Sequence, residues 1–227
     1  MACFGYEYLW IDGEHGAYDK EALLAHITAV NGAGAGAIVR VTANEPALIK
    51  PVLEMGPNGI IVPMVNSAEE AAAFVSACTY PPRGTRGFGP RRAIRYETIS
   101  TKEYLETIDD SLVKIVQIEH RKGVENIDSI LEVPGVDAVV VGPFDLSGSL
   151  GIMGQILHPD MQVACKRIVE RCKVHQIPIG PSLGIGNQEV LRFWLDLKPD
   201  FMFCGDDLGF VKAGAEATIA KIKEMRG

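Results

Sequence analysis

Val113-Lys114-Ile115-Val116-Gln117-Ile118-Glu119 and Ala138-Val139-Val140-Val141-Gly142 flank a helical pattern at 122–132. Both apolar runs are short and nearly continuous, as strands covered on both faces require. Two such strands joined by one helix read as a parallel βαβ unit. The alternation extends both ways along the chain. Toward the N-terminus lie strand-like runs at Tyr8–Asp12, Ala37–Val41 and Gly59–Val65, and toward the C-terminus at Ile177–Pro181 and Phe201–Cys204. Helical patterns occupy 19–31, 45–55, 67–78, 101–109, 159–175, 187–196 and 209–225. Ser67 ahead of Ala68-Glu69-Glu70 and Asn187 ahead of Gln188-Glu189 read as N-caps, and Pro46 fits the first turn of its helix. Seven strands in this order predict an α/β fold, a (β/α) TIM-type barrel one strand–helix unit short of eight, in a single domain over 1–227.

With 227 residues, 47% hydrophobic and 22% charged, the composition is that of a soluble globular protein. A formal charge of −7 argues against nucleic acid or an anionic membrane as the main partner. No apolar run reaches the length of a membrane span. The opening stretch MACFGYEYLWIDGEHG has neither a basic n-region nor a cleavage-site pattern. The five cysteines are odd in number and form no CxxC, so they are expected as inert thiols in a reducing cytoplasm.

In a parallel barrel the C-terminal strand ends converge on one mouth, where catalytic groups sit. Reading each strand end places Asp12, Glu14, His15, Arg40, Gln117, Glu119 and Asp145 there. An arginine inside a strand run calls for a partner, which singles out Arg40. Gln117 and Glu119 are two apart and share a face. Two carboxylates from neighbouring strand ends, Glu119 and Asp145, suit a hard divalent ion that keeps positions for water or substrate. On spacing alone they serve equally as helix caps or arginine partners. His15 alone is a turn histidine, with Asp12 and Glu14 near enough to orient it. His26, His120, His158 and His175 fall in helices or turns and are expected to be structural or solvated.

Gly32-Ala33-Gly34-Ala35-Gly36 mimics a dinucleotide motif, but it runs from helix to strand, the reverse of the required context. Residues 80–100 form the one long irregular segment, with Arg83, Arg86, Arg91, Arg92 and Arg95. These arginines fit loop charges or interface ion pairs, or recognition of an anionic substrate tail.

Taken in order, Ile-Asp-Gly-Glu-His (11–15), Val-Arg-Val (39–41), Ile-Val-Pro-Met-Val (61–65), Tyr-Pro-Pro-Arg-Gly-Thr-Arg-Gly (80–87), Gln-Ile-Glu (117–119) and Gly-Pro-Phe-Asp-Leu-Ser (142–147) resemble the HpcH/HpaI family of class II pyruvate aldolases. The resemblance runs from about residue 4 to the C-terminus. It implies a carbon–carbon lyase that cleaves or forms 4-hydroxy-2-oxo acids from pyruvate and an aldehyde through a metal-stabilised enolate. The cofactor implied is Mg²⁺, Mn²⁺ or Co²⁺ on Glu119 and Asp145. Arg40 is implied to face the pyruvate oxygens. His15 is implied as the base, with Asp12 beside it. Gln117, Gly142, Pro143, Phe144 and Asp145 are implied to line the substrate pocket. The expected partner is a small 2-oxo acid. The expected assembly is a homo-oligomer, by family habit a hexamer with its last helix exchanged between barrels.

Three departures from the family pattern matter. Glu54 stands where members often carry an aspartate paired with the catalytic histidine. Phe144 stands where small residues are common. Met1 aligns near the end of the family's first helix, so two strand edges are expected to be open, to be covered by further chain or by a partner. Related enolate chemistry, such as oxaloacetate decarboxylation or an acyl-CoA lyase step, and a non-catalytic homologue that binds a 2-oxo acid are the other readings.

Overall fold

The computed structural model describes residues 1–184 and 186–226. Its sheet is built from β1 (Tyr8–Asp12), β2 (Gly36–Arg40), β3 (Gly59–Val62), β4 (Val113–Ile118), β5 (Ala138–Val141), β6 (Ile179–Leu183) and β7 (Phe203–Cys204), in spatial order β1-β2-β3-β4-β5-β6-β7. Every pairing is parallel. The crossovers are α1 (Lys20–Gly32), α2 (Pro46–Glu54), α3 (Ala68–Cys78), α4 (Thr101–Ser111), α5 (Arg121–Glu125), α6 (Ile127–Leu131), α7 (Pro143–Ser149), α8 (Pro159–His175) and α9 (Gln188–Leu197), and α10 (Asp207–Arg226) follows β7. This is the nearly closed, seven-stranded (β/α) barrel that the apolar runs predict.

Alternation along the strands separates two layers of core. Val39, Ile60, Val62, Val116, Ile118, Val139 and Val141 face outward into the main cluster with the helices, packing with Ile27, Leu53, Phe74 and Ile168. Ile38, Ile61, Ile115, Ala138 and Val140 face inward and fill the barrel with Trp10, Val113, Phe201 and Phe203. The same parity carries one step further at the ends of β1, β2 and β4, where the inward positions are Asp12, Arg40, Gln117 and Glu119.

Local chemistry explains where elements start and stop. Ser67 accepts the Glu70 N–H, and Asn187 accepts those of Glu189 and Val190, so both caps form as read. β3 ends at Val62, because Pro63 has no N–H to donate and Met64 lies at φ 59°. The helix read at 122–132 breaks at Asn126, whose side chain instead donates to the Asn66 carbonyl. The sequence reading missed α7. It is a seven-residue helix, and its Pro-Phe-Asp-Leu-Ser-Gly-Ser composition carries little helical propensity beyond Pro143 at its first position.

β1 and β7 are the two edges of the sheet. A cavity of about 660 Å³ runs along that seam, bordered by Tyr8, Trp10, Arg40 and Phe203. Trp10 and Phe203 meet edge-to-face across it, 5.0 Å between centroids. The open edges expected from the residue pattern are thus present, with aromatic side chains reaching across.

Four of the arginines of the 80–100 segment, Arg83, Arg86, Arg91 and Arg92, are engaged with their own chain. Arg83 bonds Asp109, and Arg91 lies 3.2 Å from Glu97. Arg92 donates to the carbonyls of Met55 and Gly56 and to Asn31. Arg86 is buried over the Tyr80 ring and bonds Tyr104. Arg83, Arg86 and Arg92 hold the segment against α4 and the end of α2. No helix among the described residues is long and apolar enough to cross a membrane.

Candidate active site

Strand parity points Asp12, Arg40, Gln117 and Glu119 into the barrel at its C-terminal mouth. β1 and β2 pair in a register that sets Asp12 directly beside Arg40. The guanidinium forks onto Asp12, with Nε to Oδ1 at 2.9 Å and Nη2 to Oδ2 at 2.6 Å. Its Nη1 lies 2.7 Å from Glu14 Oε2, and the group stacks 5.0 Å over Trp10. Arg40 is thus buried and held on three sides, its geometry determined before any ligand arrives. Gly13 permits this, since a Cβ there would stand 2.6 Å from the Arg40 carbonyl oxygen.

Glu119 is 2% exposed, and both its oxygens are oriented. The Met64 backbone N–H donates to Oε1 at 2.8 Å, and Gln117 Nε2 donates to Oε2 at 2.5 Å. A Cβ on Gly142 would fall 2.5 Å from Oε2 and 2.7 Å from Gln117 Nε2, so any larger residue would push this pair out of its present arrangement. Asp145 sits in the first turn of α7 facing solvent, and its charge reaches both Glu119 and Glu14. Pro143 is buried at the start of α7, and Phe144 is exposed beside it.

The electrostatics follow from this packing. Burial pushes Glu119 up to about 7, helped by the charges of Asp145 and Glu14 and opposed by the Met64 N–H and Arg40. Burial also raises Glu14, and Arg40 and His15 only partly offset it. Burial acts upward on Asp12 as well, but there the Arg40 fork and the N–H groups of His15 and Glu14 prevail and hold it below the usual range. Glu119 therefore keeps a proton in the folded, metal-free chain at pH values where the unfolded chain, with an ordinary glutamate carboxyl at 4.5, has released it. Its contribution to stability is complete below that pH and is lost as pH rises through about 7. Urea midpoints of the metal-free chain should fall between pH 5 and pH 8, and fall less in Glu119→Gln. Equal slopes in the two proteins would count against a protonated Glu119.

His15 is exposed, with Nε2 4.0 Å from Glu14 Oε2. Asp12 accepts from the backbone N–H of His15, at 3.2 Å, and not from its ring. The structure does not bring Glu54 to this mouth. It closes α2, at the end of the helix away from Arg40, where Gly89 approaches its carboxyl and the charges of Lys50 and Arg86 reach it. Nine helical residues span about 13 Å, which is why a residue following β2 by a full helix lands near the opposite face. Burial raises the Glu54 carboxyl, and Arg86 and Lys50 pull it down. The other histidines are structural in placement: His120 and His158 cap helices, His175 bonds Asp128 and His26 stacks on Tyr18. Sequence reasoning gave Glu14 to His15 and not to Arg40, which it grips more closely, and it missed the Met64 N–H altogether.

The donor set fits a hard divalent cation. Glu119 and Asp145 offer carboxylate oxygens, with no thiol or imidazole at this pair. Among the described residues no group of three or more His, Cys, Asp or Glu side chains is placed to hold a metal ion. A site with two protein carboxylates leaves the remaining positions to water and substrate.

Residues 1–191 match the sequence profile described as HpcH/HpaI aldolase/citrate lyase. The chain belongs to that family. It is an enzyme of the aldolase and lyase class. It is 36% identical over 213 residues to the 5-keto-4-deoxy-D-glucarate aldolase of Salmonella arizonae, covering 93% of this chain and 82% of the relative. The HpcH/HpaI aldolase of Desulfitobacterium hafniense DCB-2 superposes with a TM-score of 0.90 at 30% identity, over 98% of this chain and 86% of that one. The citrate synthase SbnG superposes at 0.86 with 32% identity, over 99% and 86% of the two chains. The proteins that this chain resembles thus include aldolases and a citrate synthase by name, and substrate must be argued from the site.

Proposed function

We propose that this chain is a divalent-metal-dependent pyruvate aldolase, cleaving or forming 4-hydroxy-2-oxo acids, with Glu119 and Asp145 holding Mg²⁺, Mn²⁺ or Co²⁺. The observation that supports it best is the buried Glu119, oriented through both oxygens, beside a buried Arg40 clasped by Asp12 and Glu14. The cation, when bound, supplies Lewis-acid stabilisation of the developing enolate. Arg40 uses three of its five N–H groups on Asp12 and Glu14, leaving two for the carboxylate and keto oxygens of the 2-oxo acid. Gln117, Gly142, Pro143 and Phe144 border the place where the acid sits. In cleavage, His15 takes the proton of the C4 hydroxyl, directly or through water. The C3–C4 bond breaks to release the aldehyde, and C3 of the pyruvate enolate is then protonated. Asp12 serves by fixing Arg40, and Glu54 stands away from the chemistry.

The test is pyruvate release from 4-hydroxy-2-oxo acids, beginning with 5-keto-4-deoxy-D-glucarate, in the presence of each metal. EDTA should stop it, and equal turnover without metal would remove the roles given to Glu119 and Asp145. The likeness to SbnG favours one further reading, the same enolate chemistry directed at oxaloacetate or an acyl-CoA. A substrate panel that shows those reactions and no aldol cleavage would select it. Binding of pyruvate or oxamate without any turnover would mark a non-catalytic homologue.

The oligomer belongs to the same proposal. None of α10's side chains is buried, and Leu208, Val211, Ile219, Ile222 and Met225 are 42–87% exposed. A 20-residue helix with so much uncovered apolar surface needs a partner. A neighbouring copy of the chain, in a homo-oligomer such as a hexamer, supplies it.

A further inference from the structure

We propose that Met64 is a positioning residue for the cation site: its left-handed backbone conformation aims an N–H at Glu119 and sets the direction in which that carboxylate binds metal. This rests on the reading of Glu119 as a metal ligand. A methionine at φ 59° is uncommon, since an L side chain crowds its own carbonyl there. Such conformations persist where their surroundings over-determine them.

The surroundings here do so. The Met64 N–H donates to Glu119 Oε1 at 2.8 Å, and the Met64 carbonyl accepts from Asn66 Nδ2 at 2.8 Å. Next in sequence, the Val65 N–H donates to the Gln117 carbonyl at 3.2 Å, and the Asn66 N–H donates to Glu70 Oε2 at 2.6 Å. Asn126 Nδ2 donates to the Asn66 carbonyl at 2.8 Å, tying the turn to the junction of α5 and α6. The β3–α3 turn is thus held from both sides. Met64 is 45% exposed, so no burial accounts for the strained backbone.

The geometric consequence is specific. A carboxylate oxygen has two lone pairs. With Met64 on Oε1 and Gln117 on Oε2, each oxygen of Glu119 keeps one lone pair, and the plane of the group is determined. Donors of this kind, outside the ligand set, orient ligands and typically change metal affinity by about 10–100-fold.

Glycine adopts the left-handed region freely, and a β-branched residue hardly at all. Met64→Gly should therefore keep the N–H in place, and Met64→Val should turn the peptide away. The measurement is the Mn²⁺ dissociation constant of the full chain by electron paramagnetic resonance. Thermal melting of the metal-free proteins is recorded alongside. Met64→Gly should stay within about twofold of wild type, while Met64→Val rises about 10-fold or more. If the valine protein does not fold, Met64→Ala, which tolerates the region better than valine, should still bind more weakly than Met64→Gly. A merely structural role would lower the melting temperature and leave the dissociation constant unchanged. Glu119→Gln serves as reference. If it loses Mn²⁺ while Met64→Val and Met64→Ala bind as wild type does, the inference about Met64 is overturned and the metal reading stands. Met64→Gly binding as weakly as Met64→Val would also overturn it. Glu119→Gln binding like wild type would overturn both.

Discussion

Replacing Glu119 by glutamine should lower kcat/KM for pyruvate release by about 10³-fold or more, close to 4 kcal/mol of lost transition-state stabilisation. Glutamine keeps the volume and the hydrogen-bonding reach, so the barrel mouth is not emptied. What it removes is the anion. At 2% exposure Glu119 is shielded from water, and its charge is costly to hold in the absence of a cation. The substituted chain should accordingly be as stable as the parent at neutral pH without metal, or more stable, while losing metal-induced protection against unfolding. Asp145→Asn should weaken metal binding in the same direction but less, because Asp145 faces solvent and water can replace it. Thermal shifts with and without Mn²⁺, read beside turnover, separate these effects. Full activity in Glu119→Gln would sink the metal-centred mechanism.

Arg40→Ala is the second large effect. Loss of a preorganised donor to a developing oxyanion costs about 10²–10³ in rate. Here the loss is compounded, since the guanidinium also holds Asp12 and Glu14 apart from each other's charge. Asp12 would lose the interactions that keep its carboxyl low, and Glu14 would rise further. Arg40→Lys restores one positive charge but cannot fork onto Asp12 while reaching Glu14, and it should recover only part of the activity. If lysine were fully active, the planar, three-sided clasp would be irrelevant to catalysis. A fall in kcat with little change in KM would show that Arg40 acts chiefly in the transition state.

Much of this site was legible from residue order. The βαβ rhythm predicted a barrel, and a barrel dictates that polar residues at strand ends share a mouth. Arg40 stood out because a cation inside a strand run calls for a partner, and Asp12 in register beside it is that partner. Gln117 and Glu119 were linked by their spacing of two. The reading faltered where position depended on three dimensions. Glu54 is charged and close in sequence to Arg40, yet a whole helix carries it away toward the 80–100 segment. Asp12 neighbours His15 in the chain, yet its carboxylate is taken up by Arg40 and backbone N–H groups. The helix after β5 was hidden by weak local propensity.

Residue order by itself determined the strand sequence, the inward parity and therefore which polar groups meet at the mouth, because period-two alternation and short apolar runs are local properties. Only the tertiary structure decided that Arg40 is clasped by both Asp12 and Glu14, that the Met64 N–H orients Glu119, and that β1 and β7 stand as open edges bridged by Trp10 and Phe203. Those are contacts between segments 26 to 193 residues apart, and they depend on backbone torsions and side-chain directions that no local pattern encodes.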